Sequence, residues 1–296
     1  MIPFSKVLGR IGPVGIAPAA LFLALVGPAP AWAACATTGG NFASITQGAS
    51  ADHGLARITQ SSSQGGAACI TQGGDRPTAA VVQAGGSVSA NIASINQGGG
   101  SAQAAYVEQD GNGNRATVTQ SQANGATTLG SGSLLPASFL NLLSGSGLAL
   151  RNGAVSAQEG NNNTATIQQG TGADRAYAEI GQDGNANTAL ITQGALSPSL
   201  SGDFASLYQQ GSGNSGRLTQ QGDANNASLQ QIGNNLTGSI DQTNNANTAA
   251  LVQTGSGLSY AITQNGTSTV AGGITFVGVT GVSVTQNAGG ANVVVN

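Results

Sequence analysis

The chain has 296 residues, 47 of them glycine, with only 6% charged and 4% aromatic. Alanine carries much of the 39% hydrophobic share, so large core-forming side chains are scarce and an ordinary globular enzyme is excluded. The formal net charge of −3 argues against nucleic acid and anionic membrane as partners, since both reward clustered Lys and Arg.

Residues 1–33 read as a cleaved secretory signal. Lys6 and Arg10 precede an apolar run from Ile16 to Val26, and Ala31-Trp32-Ala33 supplies the small-residue cleavage site. The run is too short, and too interrupted by Pro28 and Pro30, to span a membrane, and no later segment qualifies as an integral membrane segment. Removing the signal leaves six Arg and no Lys against eleven acids, a net charge of −5. Cys35 sits just after the cut, but Trp32 suits a lipoprotein site poorly. Cys35 and Cys69 can form one disulfide in an oxidising compartment, which is not a disulfide scaffold.

From residue 34 a phrase recurs, N-x-A-x-(I/L/V)-x-Q-x-G-x-x. Eighteen glutamines from Gln47 to Gln286 mark it; seventeen have an aliphatic residue two positions earlier and fourteen have Ala four positions earlier. Residues 34–120 form a first block, which ends in Asn114, Ala116, Val118 and Gln120. Residues 121–157 are a Gly/Ser/Leu-rich insertion. Its Leu134–Leu143 stretch, with Pro136 near the start and Gly145 beyond the end, suits a short apolar helix, either folded over one face or offered to another component.

Residues 158–264 form the most regular block. Its stacking positions are Asn163, Ala165, Ile167 and Gln169, then Gln182, Asn187, Ala189, Ile191 and Gln193. They continue through Gln220, Asn225, Ala227, Leu229 and Gln231, and through Gln242, Asn247, Ala249, Leu251 and Gln253. Residues 265–296 hold degenerate rungs, one of them around Thr275, and Val293 and Val295 keep the inward phase to the end.

An eleven-residue period also suits a right-handed coiled coil. Gly and Asn in every repeat, as at Gly184, Asn185 and Asn187, each cost roughly 0.5 to 1 kcal/mol against Ala in a helix, which rejects that reading. Alternation in Asn187–Gln193 instead places Asn187, Ala189, Ile191 and Gln193 on one face of a strand. Gly111, Gly160, Gly184, Gly222 and Gly233 are the turn glycines. The predicted fold is all-β: a stacked solenoid of strand-turn-strand rungs, two half-repeats per rung and about nine rungs. Asn and Gln amides, costly when buried alone, are expected to bond to their copies above and below. Disorder, suggested by the Gln, Asn, Gly and Ser content, does not require an aliphatic residue at one phase of the repeat.

The pattern Gln182-x-Gly184-x-x-Asn187-x-Ala189-x-Ile191-x-Gln193 resembles curlin, the subunit of bacterial curli fibres. Gln109-Gly111-Asn114-Ala116-Gln120, Gln158-Gly160-Asn163-Ala165-Gln169 and Gln220-Gly222-Asn225-Ala227-Gln231 match it too. The resemblance implies a subunit exported through the periplasm and an outer-membrane pore. It also implies self-association into extracellular amyloid fibres for adhesion and biofilm, with a nucleator subunit as partner and no enzymatic activity. Three features depart from the family: only residues 34–40 separate signal and first repeat, there are about twice the expected rungs, and the insertion interrupts them.

No cofactor or metal site is expected. His53 is the only histidine, and Asp183, Asp223 and Asp241 read as solvated turn or outward acids. Arg57, Arg115, Arg175 and Arg217 are placed outward on strands; Tyr106, Tyr177 and Tyr208 are scattered, and Tyr260 takes an Ala position. Outward Thr46, Thr59, Thr71, Thr119, Thr192, Thr219, Thr263 and Thr285 leave an ice-binding solenoid as one alternative. A non-polymerising adhesin is the other.

Overall fold

The computed structural model describes residues 41–48, 54–61, 65–85, 90–99, 102–121, 152–170, 175–194, 202–267, 270–277 and 281–287. The signal, Cys35, His53, the Leu134–Leu143 stretch, Val293 and Val295 lie outside these residues.

Each half-repeat forms a strand because it alternates small or aliphatic residues with Thr, Ser and other polar ones, and a Gly/Asn corner ends it. One sheet takes the odd strands: β1 (Phe42–Gln47), β3 (Ala67–Gln72), β5 (Ile92–Gly98), β7 (Arg115–Ser121), β9 (Thr164–Gln169), β11 (Thr188–Gly194), β13 (Ser215–Gln221), β15 (Thr237–Thr243), β17 (Ser259–Gln264) and β19 (Val282–Gln286). The other takes the even strands: β2 (Leu55–Gln60), β4 (Thr78–Ala84), β6 (Gln103–Asn112), β8 (Asn152–Asn161), β10 (Tyr177–Asn185), β12 (Phe204–Ser212), β14 (Asn226–Asn234), β16 (Thr248–Ser256) and β18 (Val270–Val277). The pairing is parallel, each strand lying between the strands two before and two after it. The chain is therefore a β-solenoid with one strand of each sheet per coil.

The register sets like on like. Ala165, Ala189 and Gly216 align, as do Ile167, Ile191 and Leu218, and Gln169, Gln193 and Gln220. A one-residue slip would turn this whole interior set outward, so the repeated phrase itself fixes the register. Between the sheets, Ala and Ile, Leu or Val form one continuous core from Ala68 to Val284. Where Gly216 and Gly238 replace the usual alanine, Leu207 and Leu229 on the facing strands fill the room. A Cβ on Gly216 would stand 3.0 Å from both Leu207 Cδ atoms.

The two corners of the coil differ. From even to odd strand, β6 to β17, the link is always two residues: 113–114, 162–163, 186–187, 213–214, 235–236 and 257–258. From odd to even strand it varies, and the long excursion between Ser121 and Asn152 lies on that side. Pairing resumes at Asn152, where β8 begins beside β6. The degenerate rung around Thr275 is β18, which pairs with β16 through a register shift between Ala249 and Leu251.

Candidate interaction site: the stacked amide columns

Two columns of glutamine run along the solenoid, one inside each sheet. In the odd sheet Gln47, Gln72, Gln97, Gln120, Gln169, Gln193, Gln220, Gln242, Gln264 and Gln286 follow one another, each Nε2 donating to the next Oε1 at 2.7 to 3.0 Å. In the even sheet Gln60, Gln83, Gln109, Gln158, Gln182, Gln209, Gln231 and Gln253 do the same at 2.8 Å.

The second Nε2 hydrogen crosses to the other sheet. Gln193 donates to the Tyr177 carbonyl at 3.0 Å, Gln209 to Thr188 at 3.0 Å and Gln220 to Phe204 at 2.9 Å. Each interior amide thus satisfies both hydrogens and its oxygen, which removes the penalty of burying it and ties the sheets together. The cross-sheet carbonyl also orients the amide, because turning it over would set two acceptors against each other. Every Gln–Gln bond therefore points from the amino-terminal rung to the carboxyl-terminal one. The two ends of the solenoid are chemically unlike.

The asparagines act differently from the expected amide-on-amide ladder. Asn163 Oδ1 accepts the Asn187 backbone N–H at 3.0 Å, while its Nδ2 donates to the Glu159 carbonyl at 3.1 Å and the Gly184 carbonyl at 2.8 Å. Asn91, Asn114, Asn187 and Asn214 also bond to corner backbone in this way. Corner carbonyls without strand partners are thereby satisfied by a side chain. At the outer edge of the same corner, Asn112 donates to Asn161 and Asn161 to Asn185, each at 3.0 Å.

All twenty-three stacking positions named from the sequence are interior and buried. Of the turn glycines, Gly111, Gly160, Gly184 and Gly233 stack at the two-residue corner with φ of 101° to 137°, and Gly222 (φ 131°) lies at the other. Each Gly in the first set would drive a Cβ into the carbonyl of the glycine above it, as Gly184 would into Gly211. Two constraints therefore coincide there, a left-handed φ and the absence of space.

Several residues sit elsewhere than the sequence suggested. Arg57, Arg115 and Arg217 are exposed on strands, but Arg175 is a corner residue with φ 55° and a buried Nε. Asp223, read as a solvated turn acid, is buried. Tyr106 and Tyr177, though on the outward phase of the even sheet, are buried, and their hydroxyls donate to Glu108 at 2.9 Å and Glu179 at 3.2 Å. Burial and the Glu108 carboxylate push the Tyr106 hydroxyl far above its ordinary pKa; burial also raises Glu108. Of the eight threonines, seven share one outward column of the odd sheet, broken by Asn96, Gln168 and Asp241, while Thr59 belongs to the even sheet. Cys69 is disulfide-bonded, and Cys35 is the only other cysteine.

Sequence reading missed the end of the even column. Phe276 takes the register position opposite Gln253, so the glutamines of that sheet stop one rung before the last described even strand. The aliphatic-x-Gln signal that found the anchors already fails in Ile274-Thr275-Phe276.

Among the described residues no group of three or more His, Cys, Asp or Glu is arranged to hold a metal, and no helix is long and apolar enough to cross a membrane. A family model described as Curlin associated repeat matches residues 202–233, which form β12, β13 and most of β14. No curated protein matches the chain.

Proposed function

We propose, from the premise that a chain carrying the curlin-associated repeat on a β-solenoid is a curlin-family subunit, that this protein is exported and polymerises end to end into extracellular fibres. Such fibres serve adhesion and biofilm matrix, with an outer-membrane pore and a nucleating subunit as partners. The observation that carries the reading is the unbroken, one-directional glutamine column from Gln47 to Gln286.

A stack in which every rung recognises its neighbour by the same amide, aliphatic and alanine positions recognises the terminal rung of another copy in the same way. Its polarity selects head-to-tail addition: the Gln286 rung of one copy meets the Gln47 rung of the next, donor to acceptor. A head-to-head junction would oppose like ends. The first rung offers apolar surface for this, with Phe42 and Leu55 each 38% exposed.

Among the described residues the strand β1 pairs on one side only, with β3, through the backbone of residues such as Phe42 and Gly48. The N–H of Ala43 points the opposite way. Ala43→Pro is expected to leave β-structure intact while slowing seeded elongation about tenfold, the effect of one lost interchain hydrogen bond and a blocked edge. Circular dichroism and dye-binding kinetics on preformed seeds check it. Equal elongation rates would place the growing contact elsewhere.

A non-polymerising adhesin is the second reading, favoured by the register shift and Phe276 in β18, which interrupt the even column near one end. Electron microscopy of the chain after dilution from denaturant separates the two. Fibres support the subunit, whereas a chain that folds and stays monomeric supports the adhesin.

A further inference from the structure

The corner residue six positions before a column glutamine is Asn at positions 41, 91, 114, 152, 163, 187, 214, 225 and 247. Before Gln209 it is Asp203, at the start of β12, with 1% of its surface exposed.

One carboxyl oxygen reproduces the asparagine: Asp203 Oδ1 accepts the Asn225 backbone N–H at 2.9 Å, as Asn225 Oδ1 accepts that of Asn247 at 3.0 Å. The other terminal atom cannot. Where Asn247 Nδ2, at the equivalent place two rungs on, donates to the Thr243 carbonyl at 2.9 Å, Asp203 Oδ2 is buried with no hydrogen-bond partner. A carboxylate oxygen only accepts, whereas a protonated carboxyl can donate once, as that amide does.

The neighbours do not compensate the charge. Asp223, in the corner one rung on, is also buried and has an unpartnered Oδ1, and the Asn225 Nδ2 beside it is unpartnered as well. In the corner one rung back Ala176 occupies the equivalent position, and the adjacent Arg175 keeps a buried, unpartnered Nε.

We infer that Asp203 is a proton-dependent joint in the middle of the solenoid, closing the β12 rung best when its carboxyl is neutral and weakening it when charged. Burial raises this carboxyl to about 7 and the Asp223 charge adds to the rise, while the Asn225 backbone N–H and its nearby side-chain amide oppose it. A folded-state value above the ordinary one means the folded chain holds the proton more tightly than the unfolded chain. The associated stability is complete below the ordinary Asp range near 4, falls as pH rises from there to about 7, and is lost above it. The inference concerns folding of a single chain and stands whether or not the chain polymerises.

The test is denaturant unfolding of the full chain, followed by far-UV circular dichroism from pH 5 to 8.5, for the parent, Asp203→Asn and Asp223→Asn. The parent's folded-to-unfolded ratio is expected to fall about tenfold or more across this window. Asp203→Asn should lose that part of the dependence and exceed the parent at pH 8; Asp223→Asn should keep the dependence but move its midpoint to lower pH. Parallel profiles for parent and Asp203→Asn would overturn the inference. So would Asp203→Asn being weaker than the parent at every pH, since the carboxylate would then make contacts an amide cannot.

Discussion

Gly184→Ala is expected to lower stability by about 3 to 5 kcal/mol, the combined scale of left-handed strain in a non-glycine residue and of forcing a methyl into packed backbone. Gly184 has φ 122°, and its added Cβ would overlap the Gly211 carbonyl in the next rung. The corner cannot yield easily, because Gly160 lies below and Gly211 and Gly233 continue the same close column above. Gly194→Ala is the matched control. Its Cβ would meet nothing within 4 Å, so a change within about 0.5 kcal/mol is expected. Denaturant midpoints of the two variants, compared with the parent, decide the matter. Equal costs would show that glycine acts at these corners through backbone entropy alone.

Gln193→Glu is expected to destabilise by a similar amount, about 3 to 5 kcal/mol at neutral pH. Gln193 is fully buried, accepts from Gln169 at 3.0 Å, and donates to the Tyr177 carbonyl at 3.0 Å and to Gln220 Oε1 at 2.8 Å. A carboxylate keeps the first bond, but it turns the two donations into contacts between acceptors in a dry interior. Protonation returns one donor, so the deficit should shrink as pH falls below the raised value of the new acid. Gln168→Glu, on the exposed face of the neighbouring strand beside Thr192, should change stability by less than about 0.5 kcal/mol. A Gln193→Glu variant as stable as Gln168→Glu would mean the columns are ordered by backbone pairing and not by their amides.

Both predictions turn on a feature partly legible in the sequence. The spacing of Gln182, Asn187, Ala189, Ile191 and Gln193 fixes the strand, its inward face and its two-per-coil stacking, because a side-chain period of two and an eleven-residue repeat leave little freedom once the helix is rejected. It leaves open which atoms meet. Asn and Gln look interchangeable as stacked amides, yet the interior Gln reaches across to the facing sheet, while the interior Asn, one methylene shorter, bonds to the corner backbone. Side-chain length, not composition, makes that division. Corner chemistry was equally hidden: an eleven-residue step is shared by both corners, and only closure of the coil separates the invariant two-residue link from the one that accepts long excursions.

The exceptions were readable in principle. Asp203 takes the position that Asn225 and Asn247 hold in the next two rungs, and Phe276 stands in a column of glutamines, so aligning the chain on its own repeat exposes both. The outward tyrosines were not. Tyr177 lies over Gly153 and stacks on Phe204 with ring centroids 5.6 Å apart, a packing between residues far apart in sequence that a repeat phrase cannot encode.

Small charge, small side chains and exact repetition have a common physical basis. In a parallel in-register stack each residue lies on its own equivalent about 4.8 Å away, so a charge on one rung meets the same charge on the next. Asp110, Glu159 and Asp183 do stack in this manner on β6, β8 and β10, and there the Glu159 carboxyl is raised by burial and by its two acidic neighbours. Amides, alanine and aliphatic residues gain from repetition. The chain confines them to its interior columns and leaves acids to the outer positions and to corners such as those at Asp203 and Asp223.

The central claim is that the columns continue from one copy to the next. X-ray diffraction from aligned assemblies of the chain tests it most directly. The account predicts a reflection near 4.8 Å along the fibre axis, from strands stacked perpendicular to it, and one near 10 Å across it, from the two facing sheets. Fibres without the axial reflection, or a folded chain that forms no fibres under seeding, would contradict it.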